Sequence, residues 1–143
     1  MRPLTTRSGV NIAPAAYGTM QWGGTADMDA ARAMFDDCMQ AGIAHFDTAY
    51  VYTGGTSETM LGEIAGNRDD VFVATKAAYD KPFTANNIAA CFDESRTRLQ
   101  REVIDLYYLH RFDPTTPLEE TFEALAQLHA SGAIRHIGVS NYA

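Results

Sequence analysis

The stretch HFDTAYVYTGGTSETMLGE, residues 45–63, decides the fold of this chain. It begins with a short apolar run typical of a buried strand, breaks at Gly54 and Gly55, and restarts with a helical pattern. Asp47 stands where the predicted strand ends, and Tyr52 follows five residues later. A strand that passes through a glycine turn into a helix is one βα unit, and reactive groups in such units collect at the carboxyl end of the strand.

Four other apolar runs have the same character: APAAYGTM, VFVATK, VIDLYYLH and IRHIGVSN. With the first stretch they predict strands that end near Met20, Asp47, Lys76, His110 and Asn141, at intervals of about 27 to 34 residues. Helical patterns alternate with these strands, so we expect an α/β fold with a parallel sheet. Four of these strands end in polar groups, namely Asp47, Lys76, His110 and the pair Ser140-Asn141, and no G-x-G-x-x-G follows the first strand. The TIM (β/α)8 barrel is therefore favoured over an open sheet.

The fourth helix is the one most fully marked in the sequence. Thr116, Pro117 and Glu119 match the N-cap, first position and third position of a capping box, and Gly132 stands at the predicted stop. The predicted apolar stripe consists of Leu118, Phe122 and Leu125.

Composition predicts one globular domain, residues 1–143, with 46% hydrophobic residues. The formal charge of -7 argues against nucleic acid as a partner. No apolar run predicts a signal peptide or a membrane span, and Cys38 and Cys91 fit buried reduced thiols, so we expect a cytoplasmic protein without a membrane partner. Of the histidines, His45 is expected inside the barrel, and His129 and His136 at the surface.

Four reactive side chains would meet at one mouth of such a barrel: Asp47, Tyr52, Lys76 and His110. A phenol beside a cation suits protonation of a carbonyl oxygen, and an imidazole can orient the same oxygen. Two rival sites use the same region. One is a metal centre of His45, Asp47 and His110, and the other is a Schiff-base lysine at Lys76, which Asp47 disfavours by keeping that lysine charged.

Several motifs resemble the aldo-keto reductase family in order and spacing. The segment FDTAYVYTGGTSETMLG is similar to the family signature, VFVATK to its lysine strand, DLYYLHRFD to its histidine strand, and IGVSNY to its Ser-Asn strand. YGTM, with Trp22 close behind, is similar to the family's first strand. One departure is Thr53, which stands where many members have glycine.

The resemblance implies reduction of aldehydes or ketones with NADPH (NADP+), NADH being the alternative cofactor. It implies that Tyr52 is the general acid, that Lys76 and Asp47 promote its proton donation, and that His110 orients the carbonyl. The cofactor-binding residues that it implies are Gly18, Thr19, Met20, Asp47, Ser140 and Asn141. The substrate-binding residues that it implies are Trp22, Tyr52 and His110, and it implies no metal.

Length sets a limit on this resemblance. A complete barrel has about 250 residues, whereas this sequence ends after the predicted fifth strand. We therefore expect only the first five strands and four helices, as a truncated or partial chain, and self-association through the unpaired sheet edges. The alternative function is that of a regulatory, non-catalytic aldo-keto-reductase-like fragment.

Overall fold

Strands and helices alternate strictly along the chain. The structure, a computed structural model, describes residues 3–142. The strands are β1 (Tyr17–Gly18), β2 (His45–Asp47), β3 (Phe72–Lys76), β4 (Ile104–Leu109) and β5 (Ile134–Val139). The helices are α1 (Met28–Gln40), α2 (Thr56–Ala65), α3 (Ala85–Arg98) and α4 (Leu118–Ala130), with a short 3-10 turn at Tyr52–Gly55 before α2. The predicted five strands and four helices are confirmed.

All five strands are parallel and lie in the order β1-β2-β3-β4-β5. The register pairs Asp47 with Ala74, and Lys76 with Tyr108. Sequential order in a parallel sheet, with a helix after each of the first four strands, is the arrangement of a TIM barrel. The carboxyl ends of the strands therefore lie along one edge, as the sequence predicted.

The two faces of the sheet have different neighbours. On the helix side, Phe46 stacks on Phe35 of α1 with 4.7 Å between ring centroids. On the opposite face, Phe72 packs in a smaller apolar cluster with Ala74 and Leu106, which Leu4 and Ile12 of the N-terminal segment also contact.

Two histidines lie against the interior cluster. The ring of His45 meets the Phe72 ring edge-on at 4.8 Å, so its predicted interior position is confirmed. The prediction that His136 lies at the surface is wrong, because its ring stacks on Phe72 at 6.1 Å and is only partly exposed. His136 pairs with Leu106 in the sheet register and so shares the interior face.

The start of α4 differs from the predicted capping box. The Thr116 hydroxyl donates a hydrogen bond to Asp113 Oδ2 at 2.7 Å, and the helix begins at Leu118 without a side-chain cap. The N-cap position is Pro117, one residue later than predicted, so Thr116 precedes the cap and its hydroxyl makes a charge-assisted bond to Asp113. Of the predicted apolar stripe, Leu125 is buried, whereas Leu118 and Phe122 are exposed.

The predicted stop of α4 and the two predicted buried thiols are confirmed. The helix α4 ends at Ala130, and Gly132 follows with φ of +79°, as its predicted role at the helix stop requires. Cys38 and Cys91 are buried free thiols. Within residues 3–142, no helix is long and apolar enough to cross a membrane.

Candidate active site

Lys76, at the end of β3, contacts both the end of the neighbouring strand β2 and the loop that follows β2. Its ammonium group donates hydrogen bonds to the Asp47 carboxylate, to the backbone oxygen of Thr48 at 2.7 Å, and to the Tyr52 hydroxyl at 3.3 Å. An ammonium has three hydrogens, and here each is directed at a different oxygen. The lysine side chain is 9% exposed, so these protein contacts replace most of its hydration.

Tyr52 is placed by the loop that follows β2. Its backbone N–H donates to the Ala49 oxygen at 3.1 Å, which turns the chain back toward the sheet. The Lys76 nitrogen lies 4.8 Å from the centroid of the phenol ring, close enough for a cation–π contact in addition to the hydrogen bond. The phenol is partly exposed and therefore accessible to a small molecule.

His110 directly follows β4 and faces the same group. Its ring meets the Tyr52 ring edge-on, with 5.9 Å between centroids. Burial lowers the pKa of the imidazole, and the positive charge of Lys76 lowers it further. The ring is therefore neutral at pH 7 and can donate one N–H hydrogen bond.

The structure thus brings together four predicted residues from three neighbouring strand ends: Asp47, Tyr52, Lys76 and His110. Within residues 3–142, no group of three or more His, Cys, Asp and Glu side chains could hold a metal ion. The Schiff-base alternative requires a neutral lysine, which the ion pair between Lys76 and Asp47 disfavours.

Ser140 and Asn141 follow β5 and lie next to His110. The Asn141 side-chain nitrogen donates to the backbone oxygen of His110 at 2.9 Å and to Ser140 Oγ at 3.1 Å. These bonds leave the serine O–H as a donor and the asparagine side-chain oxygen as an acceptor. A carboxamide offers a carbonyl oxygen as acceptor and an NH2 group with two donor hydrogens, so a serine O–H and an asparagine oxygen match the two kinds of group that a nicotinamide carboxamide presents.

The residues after β1 differ in how they could serve a cofactor. Gly18 is exposed, with open space where a Cβ would lie, and Met20 is 53% exposed. The Thr19 side chain is buried, and its oxygen lies 2.8 Å from Ser57 Oγ. The Thr19 backbone N–H donates to the Asp47 backbone oxygen at 2.9 Å, and the Thr19 backbone oxygen accepts from the Trp22 N–H and from Ser57 Oγ, so its side chain and both of its backbone groups are engaged within the protein.

The structure contradicts the predicted contact of Trp22 with substrate. The side chain is 1% exposed and lies 6.4 Å from the Phe46 ring, on the helix side of the sheet. Asp47 follows Phe46 and points to the opposite face, because side chains alternate along a strand. Trp22 belongs to the core, and its position after β1 in the sequence could not show which face it occupies.

An exposed aromatic side chain, Tyr79, lies beside His110 and was not predicted from the sequence. Tyr79 is 49% exposed, and its ring meets the His110 ring edge-on at 5.1 Å. The guanidinium of Arg111 lies 5.8 Å from the same ring and donates to the Tyr79 backbone oxygen at 2.6 Å. The sequence signal that could have indicated this contact was the aromatic residue three positions after Lys76.

A buried network of hydroxyl groups, also missed, joins the ends of β1 and β2 to helix α2. Ser57 Oγ lies 2.8 Å from Thr19 Oγ1 and 2.9 Å from Thr48 Oγ1, and it also contacts the Thr19 backbone oxygen. All three side chains are fully buried. Buried hydroxyls that satisfy one another fix the local backbone, and the backbone oxygen of Thr48 is one of the acceptors of Lys76.

The sequence of this chain is similar to those of known proteins. The sequence model of the Aldo/keto reductase family matches residues 15–143. The chain is 38% identical to aflatoxin B1 aldehyde reductase member 2 of Mus musculus, with 99% of this chain and 40% of that protein covered. It is 39% identical to aldo-keto reductase YhdN of Bacillus subtilis (strain 168), with 94% and 44% covered.

A solved structure has the same fold. The holo form of aldo-keto reductase AKR11C1 from Bacillus halodurans superposes with a TM-score of 0.83 at 33% identity, covering 98% of this chain and 49% of that one. The chain therefore belongs to the aldo-keto reductase family, and its fold is the first five strands and four helices of that family's TIM barrel. It spans less than half the length of these relatives.

Proposed function

We propose that this chain forms the nicotinamide and carbonyl part of an oxidoreductase site that reduces aldehydes or ketones to alcohols with NADPH. The observation that carries the proposal is the hydrogen bonding of Lys76, whose ammonium contacts both the Asp47 carboxylate and the Tyr52 hydroxyl. NADPH is proposed from the family resemblance, with NADH as the alternative. A cytoplasmic location is part of the same proposal and is supported by the two free thiols.

Tyr52 is the proposed proton donor to the carbonyl oxygen. A phenol that gives up its proton becomes an anion, and the cation of Lys76, 3.3 Å from the hydroxyl, stabilises that anion. The Asp47 carboxylate pairs with the ammonium of Lys76 and holds it in place. When bound, the reduced nicotinamide supplies the hydride that no side chain of the protein can provide.

His110 orients the carbonyl in this proposal. A neutral imidazole donates a single hydrogen bond, and the lowered pKa of His110 keeps the ring in this form at pH 7. Ser140 and Asn141 would hold the carboxamide of the cofactor through the free O–H and the side-chain oxygen described above. Each group thus contacts a different part of the two reactants, which is how a site fixes their orientation.

The replacement Tyr52→Phe tests the proposal. We expect turnover, followed by the absorbance of NADPH with a panel of aldehydes, to fall by about 10²- to 10⁴-fold, because general acid catalysis contributes that much. Affinity for NADPH should not change, since the ring is kept. Tyr17→Phe is the matched control, because the Tyr17 hydroxyl contacts only Met34 in the described residues.

Two outcomes would count against the proposed function. Unchanged turnover in Tyr52→Phe would remove Tyr52 as the acid. NADPH binding without turnover of any aldehyde by the unaltered protein would favour the regulatory, non-catalytic alternative.

A further inference from the structure

Arg98, at the end of α3, lies directly behind the loop that carries Tyr52. Its Nη1 donates to the backbone oxygen of Tyr50 at 3.0 Å. A Cβ added to Gly55 would lie 2.5 Å from Arg98 Cζ, so the guanidinium packs against the bare backbone at that glycine. One side chain therefore contacts both ends of the segment 50–55, and Tyr52 lies between these contacts.

The guanidinium itself is held by two carboxylates. Glu58 of α2 is 0% exposed and lies 3.2 Å from Arg98 Nη1, and Glu94 of α3 accepts from Nη2. The other Glu58 oxygen accepts from the Thr75 hydroxyl at 2.6 Å, one residue before Lys76 in β3. Burial raises the pKa of the Glu58 carboxyl, and the bonds from Thr75 and Arg98 oppose this effect.

The ring of Tyr50 completes the contact. It lies 4.5 Å from Arg98 Cζ, and its hydroxyl donates to Glu94 Oε2 at 2.5 Å. Lys81 also reaches this ring, with its nitrogen 5.1 Å from the centroid. Tyr50 is thus tied to α3 through its backbone oxygen, its ring and its hydroxyl, which restricts movement of the loop at its first residue.

We propose that Arg98, fixed by Glu58, is a positioning residue that holds segment 50–55 and thereby sets the distance between the Tyr52 hydroxyl and Lys76. A buried ion pair of this kind is costly to break, because removal of one partner leaves the other charge uncompensated. The importance of this distance for catalysis rests on the proposed function. The effect of Arg98 on the rigidity of segment 50–55 does not rest on that function, and the rigidity can be measured without cofactor or substrate.

Amide hydrogen exchange of the 143-residue chain, followed by NMR, tests the inference. The reporters are the N–H groups of Tyr50, Tyr52 and Gly54, which donate to the backbone oxygens of Lys76, Ala49 and Val51, respectively. In Arg98→Met we expect these amides to exchange at least about tenfold faster, because the loop opens locally. The amides of β3 should keep their rates.

The controls use one conservative variant and one neighbouring arginine. Arg98→Lys should restore part of the protection, since an ammonium can still reach one of the partners. Arg96→Met should leave the loop unchanged, because Arg96 pairs with Asp93 at 3.6 Å on an exposed part of α3.

Three results would overturn the inference. The first is unchanged loop exchange in Arg98→Met, and the second is acceleration of the loop and of β3 by the same factor, which would make Arg98 a contributor to overall stability only. If Arg98→Met does not fold, Glu58→Gln takes its place, because it keeps the side-chain volume but removes the charge. The third result is then unchanged loop exchange in Glu58→Gln, which refutes the proposal.

Discussion

Thr53 has a backbone conformation that is unusual for its side chain. Its φ of +48° and ψ of +40° lie in the left-handed region, which a β-branched residue rarely adopts. Its hydroxyl accepts from the Ser57 backbone N–H at 3.0 Å and lies 2.7 Å from the Trp22 backbone oxygen. These contacts cap the start of α2 and offset the strain, so threonine is tolerated next to Tyr52 where many family members have glycine.

Two replacements of Thr53 can separate the contribution of its hydroxyl to stability from the cost of its strained backbone. Thr53→Val keeps the strain but loses both contacts, and we expect the free energy of unfolding to fall by about 1–2 kcal/mol. Thr53→Gly loses the same contacts but relieves the strain, so its loss should be smaller. Urea denaturation at neutral pH measures both values. An equal loss in the two variants would show that the backbone strain is negligible.

His45 provides a prediction about pH. Burial lowers the pKa of its imidazole. The negative charge of Asp47 raises this pKa but does not compensate for the effect of burial. Below about pH 6.5, the ordinary value for histidine, the unfolded chain therefore binds more protons than the folded chain, and stability falls as the pH falls.

The His45→Gln variant isolates this contribution. Between pH 7.5 and 5.5 we expect the stability of the variant to fall less than that of the unaltered chain, with a difference of up to about 1.4 kcal/mol per pH unit. Urea midpoints at several pH values measure it. His129→Gln, at an exposed position of α4, is the control. Identical pH dependence in all three proteins would contradict the assignment.

The residues that sequence reasoning found and those that it missed differ in one physical respect. Asp47, Lys76 and His110 end predicted strands, and parallel strands bring their ends together whatever the details of packing. Trp22 was misplaced because the face that it occupies depends on the path of the chain after β1. Arg98 was missed because its contacts join α3 to a distant loop, and no local spacing reports such contacts.

At the scale of elements, the approach of α2 to α3 is set by Gly62. A Cβ at this position would lie 2.2 Å from the backbone oxygen of Arg98 and 3.0 Å from Leu99 Cα. Contact with backbone atoms cannot be relieved by a change of rotamer, so only glycine allows the two helices to pack at this distance. The same approach brings Glu58 within reach of Arg98.

Gly62→Ala is therefore expected to destabilise the chain, although alanine has the higher helix propensity. We expect a loss of about 1–3 kcal/mol in the free energy of unfolding, the usual cost of overpacking. The matched control is Glu63→Ala, at the next and exposed position of α2, which should change stability by less than about 0.5 kcal/mol. Stability of Gly62→Ala equal to or above that of the unaltered chain would contradict the account.

The strands were predicted more completely than the helix boundaries. Short apolar runs that are buried on both sides of a parallel sheet are marked by their own composition, and β3 ends at Lys76 as predicted. The start of α4 was predicted less well, because Asp113 accepts hydrogen bonds from Thr115, Phe83 and Thr116. Although burial alone would raise it, these bonds hold the pKa of the Asp113 carboxyl well below its usual range.

At the scale of the whole molecule, the fold places its reactive groups at one end and its apolar contacts elsewhere. The inner face of the sheet carries Phe72 with His45 and His136, and the helix face carries the aromatic core around Phe46. Asp47 and the other reactive residues lie only at the carboxyl ends of the strands. This separation is the reason why a barrel can vary its chemistry without a change in its core.

The most direct test of this account is NMR of the isotope-labelled 143-residue chain during a titration with NADPH. Trp22 fluorescence is less direct, since that side chain is buried on the helix side of the sheet. We predict saturable shift changes at Gly18, Asp47, Ser140 and Asn141, and none at segment 66–70, which precedes β3 at the other end of the barrel. Changes confined to segment 66–70, or no saturable change at the strand ends, would contradict the claim that these ends form a nicotinamide site.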